Sequence, residues 1–148
     1  MKKAILYVAC ILIVFSAAAA APGSKLLQRF NQTFPHAQSI TWRDDTNGYF
    51  VSFIQNGDYN KAFYNKDGEF VYSLKYYYGD KLPTNIIITL NDKFSDAKIV
   101  GVTEVTTQNK TVYDVKLSKE GKLYCLDILS DGTIAKQESF IYENTKLN

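Results

Sequence analysis

From residue 24 onward the sequence is written twice, and no other feature of the chain constrains its fold as strongly. Ser24, Leu26, Leu27, Phe30, Asn31, Phe34, Ala37 and Ile40 fall on Thr84, Ile86, Ile87, Leu90, Asn91, Phe94, Ala97 and Val100 at a spacing of sixty residues. A four-residue insertion widens the spacing to sixty-four, and Tyr49, Val51, Phe53, Gly57, Asp67 and Gly68 then fall on Tyr113, Val115, Leu117, Gly121, Asp131 and Gly132. A repeat of this length makes each copy one supersecondary unit. The units divide the chain into 24–80 and 81–148. What the copies share reads as scaffold, and where they differ is the place to look for function.

Residues 1–20 read as a secretory signal peptide. Lys2 and Lys3 form a basic start, Ala4 to Phe15 an apolar core, and Ser16 to Ala21 a small-residue run with cleavage just before Ala21. Cys10 lies too early for a lipoprotein signal, because Ile11 to Phe15 continue the apolar core beyond it. Cleavage removes Lys2 and Lys3 from the 17 basic residues, so fifteen remain against 15 acidic ones and the mature chain is formally neutral. Neutrality argues against a nucleic-acid or anionic-membrane partner. No later apolar run is long enough to span a membrane. Periplasmic or secreted localisation follows. Residues 21–148 suit one domain, held together without an intrachain disulfide because Cys125 is the sole remaining cysteine.

Each unit opens on a helix. Ser24 is a candidate N-cap, followed by Leu26, Leu27, Phe30 and Phe34 at helical spacing, with Pro35 as the limit. In the second unit Asn85 to Leu90 reads Asn-Ile-Ile-Ile-Thr-Leu, which taken alone favours a strand. The repeat overrides that preference. Thr84 falls on Ser24, and Ile86, Ile87, Leu90 and Phe94 fall on the helical stripe. Four strands follow each helix, near Gln38–Asp44, Gly48–Gln55, Tyr59–Asn65 and Glu69–Tyr77, then near Lys98–Thr107, Thr111–Ser118, Lys122–Leu129 and Thr133–Ile141. Asn56-Gly57, Asp67-Gly68, Glu120-Gly121 and Asp131-Gly132 supply tight-turn chemistry between them. The expected class is α+β: two tandem repeats, each a helix followed by a four-stranded antiparallel meander, either sharing a sheet or packed side by side.

The pattern resembles the β-lactamase-inhibitor-like, PepSY-like periplasmic proteins of Bacteroidetes. The residues that carry the likeness are Phe34-Pro35-His36-Ala37 leading to Ile40-Thr41-Trp42, Gly48-Tyr49 with Val51 and Phe53, Asn65-Lys66-Asp67-Gly68, and Leu82-Pro83 before the second helix. Phe94-Ser95-Asp96-Ala97 and Leu129-Ser130-Asp131-Gly132 echo them. The resemblance implies helices on one side of an open sheet face, the face with which the true inhibitors grip their target enzyme. This chain lacks their paired cysteines, and no motif carries their contact residues over, so inhibition of a β-lactamase is a fold analogy only.

The residues offer little to catalysis. His36 is the only histidine and sits beside Pro35, where a solvated loop position is the simplest reading. There is no nucleophile elbow, no Walker or dinucleotide glycine motif and no calcium loop. Asp44-Asp45, Asp67 and Asp131 fall in turns, where aspartate bonds nearby backbone. Cys125 reads as a half-buried strand residue. The expectation is no catalytic residue, no metal and no cofactor.

Subtraction of the copies points elsewhere. In the second unit Tyr113, Val115 and Leu117 alternate with polar Asp114, Lys116 and Ser118, so the first set packs on the helix and the second faces solvent. In the first unit Tyr49, Val51 and Phe53 take the helix side. Its open face nevertheless carries Phe50 and Ile54, and the next strand adds Tyr59 and Phe63. Phe50, Ile54 and Phe63 stand where the other copy has Asp114, Ser118 and Asp127. Tyr76 and Tyr77, with Tyr78, extend the patch toward the seam. Trp42 is expected inward, beside Ile40. An aromatic patch on an open sheet is a contact surface: it binds a protein or peptide, or it is covered by the other unit, a terminus or a homodimer partner. The leading expectation is a non-enzymatic binding module. The alternatives are a cell-envelope hydrolase and a structural envelope protein.

Overall fold

The computed structural model describes residues 22–141; the expected signal peptide lies outside the described residues. Helix α1 spans Ser24–Thr33 and is followed by strands β1 (Gln38–Asp45), β2 (Gly48–Gln55), β3 (Asp58–Asn65) and β4 (Phe70–Tyr77). A 3-10 turn at Gly79–Lys81 leads to helix α2 (Thr84–Lys93), then to β5 (Lys98–Thr107), β6 (Thr111–Lys119), β7 (Lys122–Leu129) and β8 (Ile134–Ile141). The strands form one eight-stranded sheet in sequence order, antiparallel throughout. Strand β4 pairs directly with β5, placing Tyr77 opposite Val102. Of the two arrangements open to the sequence, the shared sheet is the one adopted.

Helix α2 forms over the Ile-Ile-Ile run. Ile86 and Leu90, one turn apart, are buried, while Ile88 is 55% exposed. Burying an apolar side chain stabilises by about 1.5–3 kcal/mol. That outweighs the few tenths of a kcal/mol by which isoleucine is a poorer helix former than leucine. Helix α1 buries Leu26 and Phe30 in the same way. Ser24 and Thr84 are not the caps. The N-caps are Gly23 and Pro83, in extended backbone, and neither helix start has a side-chain cap hydrogen bond. The backbone leaves the extended region one residue earlier than the hydroxyls imply, so Ser24 and Thr84 begin the first turn instead.

Two apolar clusters lie between helices and sheet. Leu26 and Phe30 meet Val51, Phe53, Ala62 and Tyr64, with Trp42, Tyr49 and Phe70 packed around them. The Phe30 ring lies 5.3 Å from Trp42 and 5.1 Å from Phe53, both edge-on. Ile86 and Leu90 meet Val102, Tyr113, Val115, Leu117, Leu126 and Ile128. Each helix is also tied to a turn. Arg29 donates to the Gly68 carbonyl at 2.6 Å, and Thr89 donates to the Gly132 carbonyl at 3.1 Å. Register slips interrupt the ladders between Gln38 and Thr41 and between Ile99 and Gly101, and again at Phe63/Tyr64 and at Asp127/Ile128. At the first slip Ser39 takes φ 52°. Trp42 emerges inward as expected, but Ile40, expected beside it, is 41% exposed.

Candidate binding face

The helices cover one face of the sheet, and register assigns the side chains of the other. Three rows cross its first half. Arg43, Phe50, Phe63 and Tyr72 stand opposite one another in turn across β1 to β4. Beside them run Thr41, Ser52, Lys61 and Leu74, then Gln38, Ile54, Tyr59 and Tyr76. Directly opposed residues share a face in an antiparallel pair, which is why alternation in sequence becomes rows in space.

The rings touch. Phe50 and Phe63 have centroids 4.6 Å apart, Phe63 and Tyr72 5.6 Å, and Tyr59 stacks on Tyr76 at 5.7 Å. Two cations lie over these rings, the Arg43 guanidinium 5.2 Å from the Phe50 centroid and the Lys61 ammonium 5.7 Å from that of Tyr59. Among the described residues neither cation has a carboxylate within ion-pair distance. A depression of about 380 Å³ opens between them, lined by Thr41, Arg43, Phe50, Ser52, Tyr59, Lys61 and Leu74. Cation–π contacts of this kind pre-position a charge at little entropic cost. The surface can therefore offer aromatic area and two oriented positive charges at once.

Of the six residues the sequence nominated, Phe50, Ile54, Tyr59, Phe63 and Tyr76 share this face. Tyr77 does not. It points to the helix side, where it is buried and donates to the Glu104 carboxylate at 3.1 Å. Strict alternation forbids neighbours on one strand from sharing a face. Burial, reinforced by Glu104, raises the Tyr77 hydroxyl pKa. Sequence reasoning missed Arg43, Lys61, Tyr72 and Leu74. Lys61 was available by parity, lying between Tyr59 and Phe63. Tyr72 and Leu74 followed from Tyr76 in the same way.

The second half of this face is different in kind. The Thr103 row continues through Asp114 and Asp127 to Lys136, and Lys116 stands opposite Cys125, itself opposite Glu138. Lys116 pairs with Asp114 at 3.2 Å and Lys136 with Glu138 at 3.0 Å. Cys125 is half-buried and free. Off the face, His36 is exposed in the turn after α1. Among the described residues no group of three or more histidine, cysteine or acidic side chains could hold a metal ion. No helix there is long and apolar enough to cross a membrane.

The fold belongs to a class of α+β proteins in which one antiparallel sheet carries its helices on a single face. Solved structures of that class include a DUF2874 family protein from Bacteroides ovatus, with TM-score 0.67 and 20% identity over 80% of this chain and 87% of that one. A BLIP-like protein from Bacteroides fragilis has TM-score 0.68 and 15% identity over 84% and 91%. A candidate periplasmic protein from Bacteroides eggerthii has TM-score 0.65 and 20% identity over 79% and 88%. The fold of the BLIP-like group that the sequence resembles is thus the fold found. No family model and no curated protein matches the chain.

Proposed function

We propose that this chain is a non-catalytic periplasmic binding module that holds a protein or peptide on the open face of β1–β4. The observation that carries the reading is the contiguous cluster of Phe50, Phe63, Tyr72, Tyr59 and Tyr76, flanked by two cations that have no acidic partner among the described residues. Aromatic and arginine side chains contribute most of the affinity at protein interfaces. The BLIP-like and periplasmic neighbours support the assignment of compartment and of binding over catalysis. Export by cleavage of residues 1–20 belongs to the same reading. So does descent of residues 21–148, as one PepSY-like domain, from a duplicated helix-plus-meander. That descent is supported by the register slips and helix-to-turn hydrogen bonds, which recur at matching places in the two halves.

The test is affinity capture from an envelope extract with residues 21–148, read by mass spectrometry, with and without Phe50→Asp and Phe63→Asp. Loss of the captured protein, with binding weaker by about 30-fold or more and a preserved cooperative melt, is the expected outcome. Unchanged capture by the double variant rejects the face.

A further inference from the structure

The open face of β1–β4 carries charge as well as apolar area, and the charge has one sign. Register places Arg43 on β1 opposite Phe50, and Lys61 on β3 between Ser52 and Leu74. Both cations line the depression that Thr41 and Ser52 also line, and among the described residues no carboxylate lines it. The acids nearest to them in sequence are engaged elsewhere. Asp44 takes the Lys66 ammonium at 2.7 Å, and the Asp45 carboxylate accepts the Asn47 backbone N–H at 3.2 Å. Buried Asp58 answers Lys75 and Lys81.

The other half of the face solves the same problem from within. Lys61 falls on Cys125 at the spacing of sixty-four residues. The cations of that half, Lys116 and Lys136, are paired with Asp114 and Glu138. Positive charge is thus neutralised inside the chain on the polar half and left open on the aromatic half. Opposite charge on a partner complements such a surface, steering encounter and fixing orientation.

We propose that the partner held on this face is an acidic segment that presents two carboxylate side chains, with an apolar side chain between them. The inference rests on the binding reading above and names the chemistry of its partner. Register sets the spacing. Arg43 and Lys61 lie two strands apart and two residues apart along the strands. At about 4.8 Å per strand and about 3.4 Å per residue, their Cα atoms are roughly 12 Å apart. Arg43 lies over Phe50 and Lys61 over Tyr59, so each cation is held at its own ring. A single carboxylate does not serve both, which excludes a lone chain terminus in favour of aspartate or glutamate side chains. In an extended segment two such residues four apart span about 14 Å, which side-chain reach accommodates. The residue midway between them shares their face and meets the rings. Arg43 offers a planar fork to one carboxylate, and Lys61 a point charge to the other.

The experiment pans residues 21–148 against a displayed library of short random peptides. Three double variants are panned beside it: Arg43→Gln with Lys61→Gln, Arg43→Glu with Lys61→Glu, and Phe50→Asp with Phe63→Asp. Cooperative melts establish that each variant is folded. The parent chain is expected to select peptides with two acidic residues four apart and an apolar residue between. A synthetic peptide of the selected sequence is expected to bind the glutamine variant about 20-fold more weakly, and to lose affinity for the parent chain as salt is raised. The glutamate variant selects basic peptides instead, and the Phe50→Asp, Phe63→Asp variant selects none. Apolar peptides without acidic residues, still dependent on Phe50 and Phe63, overturn the acidic partner and leave the binding face standing. Selection indifferent to Phe50→Asp with Phe63→Asp, or no selection at all, overturns the face and the inference together. Self-association of the free chain that Phe50→Asp abolishes gives the face to a second copy and overturns the inference as well.

Discussion

Replacing Ile86 and Ile88 by alanine, one at a time, distinguishes the helix from the strand that local propensity favours in this segment. In a strand, residues two apart share a face and the two substitutions cost the same. In α2 they do not share one. Ile86 is fully buried in the cluster with Leu90, Val115 and Leu126, whereas Ile88 is 55% exposed. Ile86→Ala removes three buried carbons at about 0.8 kcal/mol each. The cavity left behind adds about 1 kcal/mol, giving about 3–4 kcal/mol, within the span measured for such changes. Ile88→Ala loses little burial and gains a better helix former, so its effect stays within about 0.5 kcal/mol. Urea unfolding followed by far-ultraviolet circular dichroism and by Trp42 fluorescence measures both. At about 3 °C per kcal/mol for a domain of this size, Ile86→Ala lowers Tm by about 10 °C. Equal losses from the two variants, or a loss below about 1 kcal/mol at Ile86, refute the packing described for α2.

Two further changes test the first half of the sheet. Among the described residues the buried Tyr64 hydroxyl has no hydrogen-bond partner, so Tyr64→Phe is expected to be neutral or stabilising by about 1 kcal/mol at pH 7. Burial also pushes the Tyr64 pKa from 10.0 up to about 12, so the folded state holds this proton more tightly than the unfolded state does. The associated stability is complete below pH 10 and is lost as pH rises toward 12, and Tyr64→Phe should remove that part of the alkaline loss. Urea midpoints from pH 7 to 11 give the answer, and identical slopes for the two proteins contradict it. Gly48 begins β2 where a Cβ would lie 2.0 Å from the Tyr64 carbonyl and 2.8 Å from the Phe63 ring. Gly48→Ala is therefore expected to cost about 3 kcal/mol or more in thermal melts, and a loss below about 1 kcal/mol contradicts the close approach.

The repeat made the helix over Ile-Ile-Ile legible, because the burial that outweighs β-branched propensity had a visible template in Leu26 and Phe30. Turn chemistry was legible for the same kind of local reason. Asn56-Gly57 and Glu120-Gly121 both take positive φ, the geometry such pairs are suited to. Alternation along β2 and β3 sorted Phe50, Ile54, Tyr59 and Phe63 from Tyr49, Val51 and Phe53 before any pairing was known. It failed at Tyr77 only because a run of three tyrosines was taken as one patch. The hydroxyls of Ser24 and Thr84 misled in the same way, since composition does not say at which residue the backbone leaves the extended region.

Period and turn chemistry are properties of neighbouring residues, so the chain by itself determined its two helices, its eight strands and which side chains of each strand lie together. Strand partners are properties of distant ones. Only the tertiary structure decided that β4 pairs with β5, that Arg43 and Lys61 lie over the aromatic rows, and that β1 and β8 are the two edges of the sheet. Those facts depend on register between strands, and register is set by what the whole sheet can bury at once.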